Sequence, residues 1–120
     1  GEAKMPDAFN IASALKIIHT VGPVYRASSP EKAAELLAAC YRNSLELAKR
    51  YRSIAFTAIS TGVYGYPIVA ATEVALGAIT NWLERNRDTS LETITLIAFG
   101  PSDFDVIHRA VTALGPAHPV

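Results

Sequence analysis

The chain has a single cysteine, no net charge and no apolar run of membrane-spanning length, and each shortage closes off a class of protein. With Cys40 as the only cysteine in 120 residues, an internal disulfide is impossible, and a reducing compartment fits. Three histidines, with no HxxxH or CxxC spacing, leave no pattern for a structural zinc. Eleven Lys and Arg balance eleven Asp and Glu, so nothing draws the surface broadly to nucleic acid or to an anionic membrane. Any ligand has to be recognised locally. No stretch reaches the length of a membrane span, and the opening "GEAKMPDAFN" is neither basic nor followed by a signal-type apolar core. The expectation is a soluble, cytoplasmic chain without a metal, a cofactor or a membrane partner. Two familiar phosphate-loop signatures are missing as well: neither "GxxxxGK[ST]" nor "GxGxxG" occurs.

Half of the residues are hydrophobic and mean hydropathy is +0.21, which is enough to build a core. The length predicts one domain over residues 1–120. Three segments read as buried strands: "LKIIHTV" (Leu15–Val21), "SIAFTAI" (Ser53–Ile59) and "TITLIAF" (Thr93–Phe99). Being apolar on both faces, they suit a sheet covered on both sides. Helical patterns alternate with them. The first opens on "SSPE", where Ser28 or Ser29 can cap, Pro30 fits the first turn and Glu31 complements the dipole. Its inner face is Ala33, Leu37, Cys40, Tyr41, Ser44 and Ala48. The second starts near Pro67 with Ala75, Leu76, Ile79 and Leu83 inward, and Trp82 beside them reads as core or interface. The third follows "GPSDFD", with Ser102 as a possible cap and a stripe of Phe104, Ile107, His108, Val111 and Leu114, and "GPAHPV" stops it. Strand–helix alternation predicts an α/β layered fold with parallel neighbours and right-handed crossovers. Ligands of such sheets sit beyond the carboxyl ends of the strands.

The corner "STGVYGYP" (Ser60–Pro67) lies at that end of the second strand, and "GPSDF" lies at that end of the third. Gly62 and Gly65 permit positive φ and close approach of a ligand. Successive N–H groups in such a turn can form an anion nest, and the helix start near Pro67 adds partial positive charge. Ser60 and Thr61 offer hydroxyls. No Lys or Arg lies in the corner, so an anion would rest on neutral donors. Tyr64 and Tyr66 can pack on a sugar or aromatic ring. The set suits a phosphate joined to a ribose. The plainer alternative is an ordinary glycine-rich βα turn. Elsewhere the plain readings prevail: His19 and His108 as core histidines, Cys40 as an inert buried thiol, Asp103 and Asp105 as first-turn acids of a helix, and "KRYR" (Lys49–Arg52) as a solvated helix end.

"AISTGVYGYP" preceded by "RSIAF", together with "IIHTVGPVY" (Ile17–Tyr25) and "CYRNSLELA" (Cys40–Ala48), resembles the macrodomain family, in particular its MacroD-type branch that processes ADP-ribose 1''-phosphate. The leading "GEAK" is similar to the end of that branch's "TGEA" segment, and the resemblance runs from Gly1 to about Phe104. It implies a three-layer α/β/α sandwich with a mixed, mainly parallel sheet, and ADP-ribose or an ADP-ribosylated substrate as partner. By the same resemblance Ser60, Thr61, Gly62, Val63 and Tyr64 would wrap the diphosphate, with Gly65 completing the turn. Tyr64 would pack on the distal ribose, and Phe99 would lie near the adenosine end. Several family members hydrolyse ADP-ribosyl esters or deacetylate O-acetyl-ADP-ribose. Others could act as readers without turnover.

The family's upstream half carries an "NAAN"-type asparagine segment and a "GGGGVD" loop, and this chain begins after both. "VIHRAVTALGP" (Val106–Pro116) has an "IHRA" in common with the segment that follows that loop. It comes after the last strand, however, and has no glycine run, so it reads as a C-terminal helix. The expectation is therefore the C-terminal portion of a macrodomain, incomplete at its N-terminal side, with the catalytic residues in the absent segment. Little or no turnover is expected of this chain alone. A family strand that pairs between strands present here is also missing. That predicts a gap in the sheet, and pairing with an upstream segment or a second copy. An assembly fragment without ligand is the remaining alternative.

Overall fold

Ser29 ends an extended segment and turns its Oγ to accept from the Lys32 N–H at 3.2 Å, so the cap is Ser29 rather than Ser28. Pro30 follows in the first turn and the helix α1 runs Pro30–Ala48. The computed structural model describes residues 2–4, 18–27, 29–61, 64–98 and 100–114. Within them the chain order is strand β1 (Ala3–Lys4), strand β2 (His19–Thr20), a 3-10 turn (Tyr25–Ala27), α1, strand β3 (Ser53–Phe56), helix α2 (Ile68–Arg85), strand β4 (Thr93–Leu96) and helix α3 (Pro101–Thr112). The alternation expected from the sequence is present, with β1 added. The described strands are shorter than the apolar runs. Residues 15–17 and Phe99 lie outside the described residues, and the chain leaves β3 for a turn after Phe56.

β3 and β4 pair in parallel, Ser53 opposite Thr93 through Phe56 opposite Leu96. The Ile97 N–H extends the pair by donating to the Phe56 carbonyl at 2.8 Å. The connection through α2 is the crossover that parallel neighbours require. On one face Ile54, Phe56, Ile94 and Leu96 meet the helices. The core consists of Ala33, Leu37, Tyr41 and Leu45 from α1, and Ala71, Ala75, Ile79 and Trp82 from α2, with Phe56 and Tyr66. The α1 face is the one read from the sequence, with Leu45 added to it. Leu76 and Leu83 are only half-buried, and Trp82 takes the innermost place on α2. The Trp82 indole N–H donates to Glu46 Oε1 at 2.7 Å, tying the two helices at one end.

The opposite face departs from expectation. Ser53, Ala55, Thr93 and Thr95 are exposed, so the pair is covered on one side only. β1 and β2 form a separate antiparallel ribbon, Ala3 opposite Thr20. Among the described residues no strand joins it to β3. Two-stranded ribbons are marginal by themselves; here α1 packs against both. The sequence reading expected a gap in the sheet without saying between which strands; among the described residues β2 and β3 are not paired.

The last helix also differs. Its N-cap is Gly100, with Pro101 in the first turn, and Ser102 makes no cap. None of its described residues is buried. His108 is exposed and stacks on Phe104, 5.5 Å between ring centres, with Phe104 itself 56% exposed. The expected core histidine is therefore a surface one. Among the described residues α3 packs chiefly against α2, and part of its stripe is left in water. The "GPAHPV" tail lies outside the described residues, as does the His19 side chain.

Tyr41 gives the core a pH signature. Burial, helped by the adjacent Cys40 and partly offset by a backbone hydrogen bond at Ile59, pushes its phenol up to about 12 from an ordinary 10.0. The unfolded chain therefore loses this proton first. Stability is fully present below pH 10 and declines as pH rises from there to about 12. At ~1.4 kcal/mol per unit the loss is about 2–3 kcal/mol. Urea melts between pH 9 and 12 should show it, and Tyr41→Phe should flatten that part of the profile. An unchanged slope in the phenylalanine variant would contradict the assignment.

Candidate functional site

After Phe56 the chain turns at Ala58–Thr61 and enters α2 through Pro67. Ser60 has φ 65° and Gly65 has φ 72°. Both are left-handed, which is free for glycine but costs a residue with a Cβ about 1 kcal/mol or more. The Tyr66 N–H donates to the Ser60 carbonyl at 2.9 Å, closing the segment between them into a ring. The Thr61 hydroxyl donates to the Ala58 carbonyl at 3.3 Å. The Ser60 Oγ is buried and without a hydrogen-bond partner among the described residues. Both hydroxyls are thus turned inward. Tyr64 stands 38% exposed at the tip. Gly65 faces open space where a Cβ would sit. Gly62, Val63 and Phe99 lie outside the described residues.

A second strand exit locks this turn in place. Gly22, just past β2, lies so close that a Cβ on it would come within 2.1 Å of Ser60 Oγ and 2.6 Å of Ile59 Cγ2. The Tyr25 N–H donates to the Tyr64 carbonyl at 3.0 Å. The Tyr25 ring tilts against Tyr66 with centres 4.7 Å apart. Burial, together with Tyr25, holds the Tyr66 phenol above its usual range. Cys40 also holds this corner, its thiol donating to the Val21 carbonyl at 3.4 Å. Cys40 is fully buried in this structural role. Gly22 and Tyr25 had no assigned role in the sequence reading. The available signal was a Gly-Pro pair directly after a strand, which marks a sharp, close-approach turn.

The β3 and β4 exits open onto one shallow cleft with a cavity volume of about 20 Å³. Thr57, Ala58 and Thr61 line one wall, Leu96 and Ile97 a second, and Ile107 of α3 closes it. Thr72 and Ala75 come from α2. Among the described residues no Lys, Arg, Asp, Glu or His lines it; the described lining is hydroxyl-bearing and apolar. Asp103 and Asp105 lie on α3 outside the lining. Among the described residues no cluster of His, Cys, Asp and Glu is placed to hold a metal, and no helix is long and apolar enough to cross a membrane. At the far end "KRYR" is solvated, with Lys49 paired to Asp88 and Arg52 to Glu92 at 3.8 Å each.

These elements make a parallel α/β unit with a left-handed turn at the strand exits, opening on a cleft whose described lining is uncharged. The Macro domain family model matches residues 1–75, and the chain belongs to that family. It is similar to a macro domain-containing protein of Chlorobaculum tepidum, 41% identical over 94% of this chain and 64% of the relative. An O-acetyl-ADP-ribose deacetylase of Cronobacter turicensis is 47% identical over 71% of this chain and 48% of its own. Among solved structures, a variant of the Oceanobacillus iheyensis macrodomain with ADPR superposes with a TM-score of 0.81 at 42% identity. That match covers 94% of this chain and 59% of the other. The chain thus spans less than two thirds of these relatives.

Proposed function

We propose that this chain carries the diphosphate–ribose part of an ADP-ribose site, formed by Ser60, Thr61, Gly62, Val63, Tyr64 and Gly65, with Phe99 toward the adenosine. The observation that carries the reading is the doubly left-handed turn at the strand exits, held closed by the Tyr66–Ser60 hydrogen bond. Such a turn aims backbone N–H groups at an anion, and α2 starts immediately behind it. The solved macrodomain with ADPR supports this ligand. Tyr64, exposed at the tip, is free to cover a sugar face.

In its intact form the domain would hydrolyse ADP-ribosyl esters or O-acetyl-ADP-ribose; for the second, the name of the Cronobacter relative, an O-acetyl-ADP-ribose deacetylase, lends support. Positioning and neutral electrostatic contacts would supply the rate. This chain alone is expected to bind without appreciable turnover, because the asparagine segment and glycine-run loop expected to hold the attacking water do not occur in it; among the described residues the cleft lining has no Asp, Glu, His or Lys. The same observation favours a non-catalytic reader as second reading. The open β3 edge and the exposed strand face would be completed by an upstream segment of a macrodomain. A reducing, cytoplasmic setting fits the single buried thiol.

Gly62→Glu tests the site. The added carboxylate would oppose the diphosphate and fill the space of its approach. Calorimetric titration should show ADP-ribose affinity reduced by about tenfold or more, a loss of ~1.4 kcal/mol at least, with the circular dichroism spectrum unchanged. Undiminished binding would show that the corner is not the site.

A further inference from the structure

The outward side of the helix pair has a pattern that ligand binding does not use. α1 and α2 run side by side in the same direction, with a groove between them. Glu31, Glu35 and Glu73 line the end near the helix starts, and Arg42 and Arg85 line the other. All five are exposed. Glu35 pairs with Lys32 at 3.8 Å. The other four take part in no ion pair among the described residues. Between the charged ends lie the small residues Ala34, Ala38, Gly77 and Ala78, with Val74, Asn81 and Trp82 beside them on α2.

We propose that this groove is a homodimer interface. The second copy packs face to face across a two-fold axis that lies in the interface and crosses the groove near Ala38 and Ala78. The spacing supports that axis. On α1, Glu35 precedes Ala38 by three residues and Arg42 follows it by four. On α2, Glu73 precedes Ala78 by five and Arg85 follows it by seven. At about 1.5 Å per residue, the rotation sets each Glu level with the matching Arg of the second copy to within about 3 Å. Each helix then lies antiparallel to its own copy, acid end on basic end. Alanine and glycine at the crossing admit helix axes at the usual ~8–10 Å. Such an interface is isologous and closes at two chains. A nucleic acid or an acidic peptide would meet repulsion at the glutamate end, so the two-signed groove selects a two-signed occupant, and a copy of itself fits.

Two helices of this length present a face about 28 Å long. At about 20 Å wide it falls short of the ~800 Å² per partner of a standard interface. The dimer is therefore weak and salt-sensitive, and the charges fix its register more than its strength.

Two variants of the full chain test this by sedimentation equilibrium at low salt. Glu35→Lys with Glu73→Lys makes the groove predominantly basic, and Arg42→Glu with Arg85→Glu makes it acidic. The wild type is expected to dimerise with concentration and to lose affinity about tenfold in molar salt. Each variant alone should associate at least tenfold more weakly than the wild type. An equimolar mixture should recover a heterodimer at wild-type affinity, which also shows that both variants are folded. A wild type that stays monomeric to millimolar concentration would overturn the proposal. So would variants that dimerise like the wild type, which would place association on the open β3 edge, or a mixture that stays monomeric while both variants melt normally.

Discussion

Gly22→Val is expected to lower ADP-ribose affinity by about a hundredfold, although Gly22 stands at the exit of a different strand from the loop it disturbs. An added Cβ would sit 2.1 Å from Ser60 Oγ and 2.6 Å from Ile59 Cγ2. No positive φ is involved at Gly22, so the effect is one of space alone. Ser60 Oγ could rotate aside, but Ser60 Cβ is only 3.3 Å away and Ile59 is anchored in the core. The turn itself has to move, and with it the backbone groups proposed to meet the diphosphate. A displacement near 1 Å at a preorganised site is worth about two orders of magnitude. Overpacking also costs about 1–3 kcal/mol of stability. Combining Gly22→Val with Ser60→Gly should restore part of the loss, because glycine removes the obstructing side chain and suits φ 65°. Ser60→Gly alone should stabilise the fold slightly, since it also removes a buried hydroxyl without a partner. A valine variant that binds like the wild type would mean that the β2 exit does not position the corner.

The largest stability loss is expected from Trp82→Ala, at about 3–5 kcal/mol. The ring is 4% exposed at the junction of α1 and α2, and its N–H bonds Glu46 Oε1 at 2.7 Å. Domains hold only about 5–15 kcal/mol in total, and this one has a sheet face open to water. The alanine variant should therefore be largely unfolded near 25 °C in the far-ultraviolet spectrum. Trp82→Phe keeps most of the packing, and the freed Glu46 carboxylate is at the surface, so its cost should stay near 1 kcal/mol. An alanine variant with a near-normal melt would mean that the helix pair is held together elsewhere.

Periodicity made the helices legible. Ala33, Leu37, Cys40, Tyr41, Ser44 and Ala48 recur at helical spacing and all are buried. Ser29, Pro30 and Glu31 mark the start of α1 in the order that capping chemistry predicts. The turn at the corner was legible because glycines and small hydroxyls at a strand exit are ordinary turn residues, and Ser60 and Gly65 do take positive φ there. The covering of the sheet was not. Alternate residues of β3 and β4 look fit for burial, but burial needs a second layer, and a strand's own sequence does not supply one. α3 misled for a related reason: Phe104 and His108 complete a stripe, yet both side chains remain exposed. The Gly22–Ser60 contact joins residues 38 positions apart, through strands that do not pair. No local rule finds such a contact. Tyr25 is likewise explained only by where Tyr64 and Tyr66 come to lie.

The most direct measurement is a calorimetric titration of ADP-ribose into the 120-residue chain, with AMP as the control ligand. If Ser60–Gly65 forms a diphosphate–ribose site, ADP-ribose should bind saturably at one site per chain, at least tenfold tighter than AMP, which lacks the second phosphate and the distal ribose. Equal affinities, or no heat of binding from a chain whose spectrum and melt show it folded, would contradict the account.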